Sequence, residues 1–523
     1  MINVSAPIVT TFVVYLVAMV AIGIWVYRRT HDFTDFALGG RRLNAPTAAL
    51  SAQASDMSGW LLLGLPGAVY AAGIGATWIA VGLAVGTYLN WKFVAPRLRT
   101  YTERARNAVS LSAYLEERFE DRTRLLRIVS AAVIVVFFTV YVASGLVAGG
   151  VLFEEMFGMD FELAVTVSAV VIVVYTFLGG FLAVSLTDAV QGTLMFLALL
   201  AIPIIGIGLL GGFGALTDAL DDESPDLLDI GAEASFADGT WADGGSLSVV
   251  AVVSLVAWGL GYFGQPHILA RFMGIRSVAD IPVARRIGTS WVVVTLAGAS
   301  LVGLVGIAEL DEPLANPETV FIALTEQMLD PWLAGIILAA VLAAIMSTAD
   351  SQLVVSSTAL TEDFYRAFLN REASNTTLVW VGRLTVTGVA IVAYVIALGG
   401  GAVLEIVSYA WAGFGAAFGP VIVLSLFWPR MTWAGAMAGM VGGALTVVLW
   451  EYIDPHTGPF EGIYEIIPGI LVATVAALLF GHYVGTPPQR RWAGAMQDPS
   501  DDEPARLAMI IEDVRGHSPA DPR

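Results

Sequence analysis

Cysteine is absent from all 523 residues, which excludes disulfides and thiolate metal ligands together. Lysine is almost absent as well, Lys92 being the only one. Charged side chains make up 14% of the chain, against roughly 25% in a soluble globular protein. Positive charge is the scarcer sign, with 26 Lys and Arg facing 45 Asp and Glu, and the formal net charge of −19 disfavours nucleic acid as a partner. What the chain has instead is apolar: 57% of residues, with a mean hydropathy of +0.75. The 54 Gly and 22 Pro follow no period, so a fibrous or disordered chain is excluded too. A polytopic membrane protein surrounded by membrane lipid remains, with the acidic, Lys-poor composition of proteins that work in concentrated salt.

A bilayer span needs about 20 apolar residues, and thirteen runs qualify, at about 6–27, 46–72, 75–95, 127–152, 162–182, 188–212, 246–270, 285–308, 331–360, 378–399, 403–428, 432–451 and 464–485. With the N-terminus outside, all 26 Lys and Arg fall in inside loops or the C-terminal tail: Arg28, Arg29, Arg41 and Arg42; Lys92 through Arg127; Arg271 through Arg286; Arg366 through Arg383; Arg430; and Arg490 onward. The outside loop from Gly214 to Ser246 carries nine acids instead. The alternation predicts a multi-pass protein of the cell membrane with a cytoplasmic C-terminus. Arg28 and Arg29 follow the first apolar run rather than precede it, so a retained first span is expected in place of a cleaved signal peptide. The polar tail is expected to hold at most a surface helix near 505–514.

Three spans carry groups that a lipid-packed helix would not. The second reads Ala54-Ser55-Asp56-Met57-Ser58-Gly59-Trp60, and Asp56 costs a few kcal/mol or more at mid-bilayer unless it is paired or wet. A break near Asp56 to Gly59 would free carbonyls for a cation and turn amide N–H groups toward an anion. In the ninth span Ala344, Ser347 and Thr348, at i, i+3 and i+4, share a helix face. Two hydroxyls and a carbonyl offer hard, uncharged oxygens, which suit a monovalent cation better than Ca²⁺ or Mg²⁺. The seventh span, Trp258-Gly259-Leu260-Gly261-Tyr262-Phe263-Gly264-Gln265-Pro266-His267, predicts an interrupted helix with Trp258 and Tyr262 on one face. His267 reads as a positioned loop residue. No nucleophile–base pair or metal-ligand cluster stands out, so an enzyme is not expected.

The two interrupted spans, the second and the seventh, stand five positions apart. After one extra N-terminal helix (residues 1–45 with its loop), that spacing fits an all-α, inverted-repeat core of the leucine-transporter type at 46–430. Its two halves would be about 46–212 and 246–430, followed by two further helices at 431–485 and an acidic tail at 486–523.

At Ala54 through Tyr70, Tyr175 through Asp188, Gly259 through Met273 and Met346-Ser347-Thr348, the chain resembles the sodium:solute symporter family, most closely its proline-transporting branch. The resemblance runs from about residue 6 to 485. It implies a sodium site formed by carbonyls of Ala54, Met57 and Ala344 with the hydroxyls of Ser347 and Thr348, supported by Asp56. It implies substrate contacts at Ser58, Gly59, Tyr141, Trp258, Tyr262 and Pro266, and functionally sensitive positions at Arg41 and Asp188. The implied activity is sodium-coupled uptake of L-proline or a similar small zwitterion by alternating access. Another amino acid or a small carboxylate is the alternative cargo, and a non-transporting nutrient sensor on the same fold is the alternative of a different class. The chain departs from the pattern at Asp350, where these transporters carry an uncharged residue.

Within the thirteen spans Lys and Arg occur only toward the inside ends, at Lys92, Arg127, Arg285, Arg286 and Arg383, so a carboxylate bound at mid-membrane would have to be met by amide N–H groups near Ser58 and Gly59, by hydroxyls and by the cation. Trp258, Tyr262 and Tyr141 would cover an apolar ring and face its ammonium.

Overall fold

The computed structural model describes residues 5–27, 37–178, 180–453 and 462–485. Arg28, Arg29, Gly179, Arg490 and the tail with its expected helix near 505–514 lie outside the described residues. In chain order the helices are α1 (Ala6–Tyr27), α2 (Ala45–Asp56), α3 (Leu65–Ala72), α4 (Trp78–Leu89), α5 (Ala95–Arg104), α6 (Leu111–Arg118), α7 (Leu125–Phe157), α8 (Phe161–Leu178), α9 (Phe181–Leu210) and α10 (Phe213–Glu223). A hairpin of β1 (Ala232–Ala237) and β2 (Thr240–Ser246) precedes α11 (Val249–Ala257), α12 (Pro266–Gly274), α13 (Ile281–Glu309), α14 (Val320–Met328), α15 (Pro331–Thr358), α16 (Asn375–Ala397), α17 (Val403–Phe427), α18 (Trp433–Ile453) and α19 (Ile466–Tyr483).

By length and apolarity, ten of the described helical runs could cross a membrane, or eleven when the bent pair Val249–Gly264 and Pro266–Gly274 counts as one span. The sequence divides the same stretches into thirteen. The difference has two sources. Trp60–Arg104 forms a single 45-residue run, interrupted only by a tight turn at Gly73–Thr77, where the sequence places the end of one span and the whole of the next. The apolar part of α8, Phe161–Phe177, is too short to qualify.

Burial sorts these helices into a centre and a lipid-facing rim. The most apolar stretches of α15 and α17 are 78% and 83% buried, whereas those of α1 and α19 are 22% and 28% buried. Val13, Val14 and Val17 of α1 and Leu471 and Leu479 of α19 are exposed apolar side chains, as lipid contact allows. α2 lies among α9, α12, α13 and α15, while the segment Trp258–Gly264 lies between α4 and α17.

The acidic loop is more structured than the sequence suggests, and it departs from an all-α chain. β1 and β2 pair antiparallel across Asp238-Gly239, both with positive φ (51° and 77°), the backbone that a two-residue hairpin turn requires. Trp241 anchors the hairpin by donating from Nε1 to the Tyr70 carbonyl at 2.7 Å on α3. Nearby, Glu318 closes a second loop onto the start of α17: the N–H groups of Val403 and Leu404 donate to its Oε2 and Oε1 at 2.8 and 3.0 Å. A carboxylate there satisfies two of the amide donors that a helix start leaves open.

Burial nevertheless raises the Glu318 carboxyl above its ordinary value, against the two backbone bonds that lower it and with the Glu405 charge adding to the rise. A group whose folded value is raised stabilises the docked loop below its unfolded value and loses that contribution as pH rises through the folded one. Melting temperatures of the parent and of Glu318→Gln are therefore expected to shift in favour of Gln as pH climbs from about 5 to 8. A parent that gains on the Gln variant over that range would reverse the sign.

Candidate functional site

α2 begins cleanly: the Asn44 side chain accepts from the Thr47 N–H at 2.9 Å, and Pro46 sits in the first turn. It ends at Asp56 because Met57 leaves helical geometry (φ −84°, ψ 83°), and helical bonding is resumed by a wide turn over Trp60–Gly64. The break falls where the polar run 56–59 predicts it.

Directly across from the break stands α15. The Ser347 hydroxyl donates to the Ala54 carbonyl at 2.7 Å and to the Ala344 carbonyl at 3.1 Å, and the Thr348 hydroxyl donates to Ala54 at 3.3 Å. Four of the five oxygen-bearing residues named from the sequence thus meet across 293 positions of chain, all of them buried. Met57, the fifth, is the break residue itself, with its N–H on the Gln53 carbonyl at 2.9 Å. The donor set is neutral oxygen throughout. Among the described residues, no three of His, Asp or Glu gather in a way that could hold a metal, so this cluster suits a monovalent ion rather than a divalent one.

Asp56 joins the break to the seventh span. Its Oδ2 accepts from the Tyr262 hydroxyl at 2.5 Å, while the buried Oδ1 has no partner among the described residues. The Asp56 backbone carbonyl accepts from the Tyr141 hydroxyl at 3.2 Å and from Trp60 Nε1 at 3.3 Å. Tyr141 and Tyr262, 121 positions apart by their numbers, therefore meet at one residue. Ser58 and Gly59 lie at the restart of the helix, both buried, and a Cβ on Gly59 would stand 2.7 Å from that of Ala148. This approach keeps α7 against the break.

In the seventh span α11 stops at Ala257, a tight three-per-turn helix covers Trp258–Gly264, and Pro266 starts α12 at a bend of 46°. Seven residues of such tight helix are uncommon, and here a residue that the sequence does not single out props them. Trp411 of α17 donates from Nε1 to the Trp258 carbonyl at 2.8 Å, meets the Tyr262 ring edge-on at 5.1 Å, and accepts at its own carbonyl from Gln265 Nε2 at 3.2 Å. Gly261 leaves the room, since a Cβ there would come within 2.0 Å of the Trp411 indole nitrogen. The available signal is a large ring set in the small-residue run Ala410-Trp411-Ala412-Gly413. Trp258 tilts against Trp60 at 6.3 Å. Pro266 is buried at the first turn of α12, and His267 follows it with its ring edge-on to Phe138 and Tyr141. His267 is thus a buried helical residue rather than a loop residue, because the proline allows α12 to start one position earlier.

Arg41 and Asp188 lie apart from these clusters, toward the arginine-rich face. Arg41 binds the Asn107 side chain, Thr102 Oγ1, and the Met273 and Ala108 carbonyls at 2.6–3.1 Å, fastening its loop to the end of α12. Asp188 pairs with Arg271 at 3.0 Å and accepts from Ser51 at 2.7 Å. Arg271, placed in an inside loop by the sequence, is instead a buried residue of α12. That helix continues to Gly274 because its arginine finds a carboxylate on α9, the Ser51 hydroxyl on α2 and the Ser351 hydroxyl on α15. Asp350 sits beside Ser351, fully buried, with Oδ2 unpartnered among the described residues. Two carboxylates therefore share the neighbourhood of one guanidinium.

Residues 36–443 match the model of the sodium:solute symporter family. The chain is 48% identical over 516 residues to the sodium/proline symporter of Escherichia coli (strain K12), covering 96% of this chain and 99% of that one. It is 48% identical over 475 residues to the high-affinity proline transporter PutP of Bacillus subtilis (strain 168), covering 90% and 97%, and 45% identical over 479 residues to the osmoregulated proline transporter OpuE of the same organism, covering 91% and 94%. Among solved structures it superposes on a substrate-bound, outward-open Na⁺-coupled sialic acid symporter with a TM-score of 0.78 at 17% identity, covering 93% of this chain and 99% of that one. It also superposes on the nucleobase-cation-symport-1 transporter MHP1 in a closed conformation, with a TM-score of 0.51 at 13% identity, covering 88% and 97%. At those identities the likeness is one of fold, the leucine-transporter type expected from the two interrupted spans.

Proposed function

Because this chain belongs to the sodium:solute symporter family, a family of transporters and not of enzymes, we propose that it couples inward sodium movement to uptake of L-proline across the cell membrane. The arginine-rich face is cytoplasmic in this reading, the acidic hairpin face and the N-terminus lie outside, and residues 46–212 and 246–430 form the two repeats. Sodium is cargo here, not a resident cofactor.

The observation that carries the proposal is the convergence of the broken α2 with the hydroxyls of α15 beside the aromatic residues of the seventh span. Sodium takes the carbonyls of Ala54, Met57 and Ala344 and the oxygens of Ser347 and Thr348. In doing so it replaces the hydroxyl–carbonyl bonds that link α2 to α15 with ligation that includes both helices. Asp56 supports the ion electrostatically while holding Tyr262. Proline, whose carboxylate needs donors, lies against the amides at Ser58 and Gly59, with its ring and ammonium facing Tyr141, Trp258, Tyr262 and Pro266. The buried arginine nearest these residues, Arg271, is engaged by Asp188, so the carboxylate is met by backbone. An ion that fixes the break also fixes those amides, and that differential affinity is the coupling. Arg41 and Asp188 hold α12 at the cytoplasmic end and release it when the inner path opens.

Uptake of labelled L-proline into proteoliposomes, driven in turn by sodium, lithium and proton gradients at fixed membrane potential, tests the proposal. Sodium-driven accumulation that unlabelled proline competes away is expected. Accumulation that ignores sodium, or none at all, would refute it. Trp258→Ala is expected to raise the half-saturating proline concentration about tenfold, as loss of a desolvated cation–π and stacking surface implies, with the sodium curve moved far less. Equal shifts of both curves would count against an aromatic cage.

A further inference from the structure

The two helices that follow the repeats have no part in the site described so far, yet the residues just before the second of them, 462–465, reach it. Tyr464, just before α19, stacks on Trp258 with ring centres 5.4 Å apart and planes 23° from parallel. Since Trp258 in turn meets Trp60, ring contacts link Tyr464 through Trp258 to the residue that follows the α2 break. Tyr464 is also tied on both sides. Its hydroxyl donates to the Ser408 carbonyl of α17 at 2.7 Å, and its N–H donates to Ser254 Oγ of α11 at 3.1 Å, while the Ser254 hydroxyl donates to the Gly462 carbonyl at 2.8 Å. Trp450 of α18 secures the segment from behind, donating to the Ile463 carbonyl at 3.3 Å. Around these residues lies a cavity of about 610 Å³ open to the acidic face, bordered by Gly64, Ser254, Trp258, Glu318, Ser408 and Tyr464.

One side chain from outside the repeats therefore bridges the first helix of the second repeat and its last helix, directly above a proposed substrate contact. We infer that Tyr464 is the outer cap of the substrate site, a positioning residue that holds Trp258 over the substrate and must leave Ser408 and Ser254 before the site opens to the acidic face. This rests on the reading of Trp258 as a substrate contact. The bonds are few and all at the rim, so the cap can swing without disturbing the sodium cluster. Both ties use backbone groups of the moving segment or of α17, so the ring supplies the selectivity and the hydroxyl supplies the latch.

The chain has no cysteine, so Ser58→Cys, at the buried α2 break, gives a unique thiol in the proposed substrate site. In the full chain in nanodiscs with no solute present, modification of that introduced thiol by a polar maleimide is expected to quicken roughly three- to tenfold when Tyr464 is replaced by Ala or Leu, the range that loss of one stacked ring implies, and by a smaller factor with Tyr464→Phe, which keeps the ring on Trp258 and loses only the bond to the Ser408 carbonyl. In transport, Tyr464→Ala and Tyr464→Leu are expected to raise the proline KM severalfold with sodium half-saturation unchanged, and Tyr464→Phe to restore it. The Leu variant retains bulk in case Ala perturbs folding. Unchanged thiol reactivity in both the Ala and Leu variants would overturn the cap. The reactivity measurement needs no substrate, so a wrong proline assignment would show only as absent uptake by the unsubstituted chain.

Discussion

Replacing Ser347 and Thr348 together by alanine raises the sodium concentration for half-maximal proline uptake by about a hundredfold, with a far smaller change in the maximal rate once sodium saturates. A hydrogen-bond-strength contact to a charged group contributes about 1.5–3 kcal/mol, and about 1.4 kcal/mol is tenfold in affinity. Each lost hydroxyl is therefore expected to cost roughly tenfold or more. Both hydroxyls address the same carbonyl, Ala54, so the two substitutions are not independent and their effects need not add. Sodium titrations of uptake by both single variants and the double variant read this directly. An unmoved sodium curve in the double variant would remove α15 from the cation site.

The second large effect belongs to the buried pair of Asp188 and Arg271. Arg271→Met leaves Asp188 without a cation, held by neutral hydroxyls such as Ser51, in a setting where both side chains are at most 1% exposed. Breaking one side of a buried pair costs about 3–5 kcal/mol. Transport is expected to be lost and thermal stability to fall steeply, whereas the double variant Asp188→Asn with Arg271→Gln regains most of the stability, because no uncompensated charge remains. Asp350 sharpens the test: Arg271→Met leaves two carboxylates without their shared cation, so adding Asp350→Ser to it should recover part of the loss. Unfolding of the parent and the three purified variants in detergent measures these differences. Equal destabilisation by the double and single variants would mean that Arg271 contributes by packing alone.

What the sequence discloses and what it withholds divide along sequence distance. The break at Met57 is legible because its causes are local: a carboxylate, two serines and a glycine close together at the middle of an apolar run. The face shared by Ala344, Ser347 and Thr348 is legible for the same reason, since helical spacing alone sets it. The interrupted seventh span announces itself through Gly259, Gly261, Gly264 and Pro266. Trp411, Arg271 and Tyr464 are not legible. Their roles arise from pairings with Trp258, Asp188 and again Trp258, at separations that no periodicity encodes. Arg271 is misplaced by the sequence because a positively charged residue at the end of an apolar run reads as a loop, and only the carboxylate on α9 reveals it as core. The boundary between the second and third spans is legible too, because Gly73 takes the positive φ that ends α3 before α4 begins at Trp78.

In the proposed mechanism coupling comes down to one carbonyl, Ala54 of α2, which accepts from both Ser347 and Thr348 of α15. Equilibrium binding to the purified protein measures it: the affinity for proline at low and saturating sodium, and the affinity for sodium at low and saturating proline. The two ratios are expected to be equal and well above one, and to fall together toward one in Ser347→Ala with Thr348→Ala. Proline affinity that does not depend on sodium in the unsubstituted protein would contradict it.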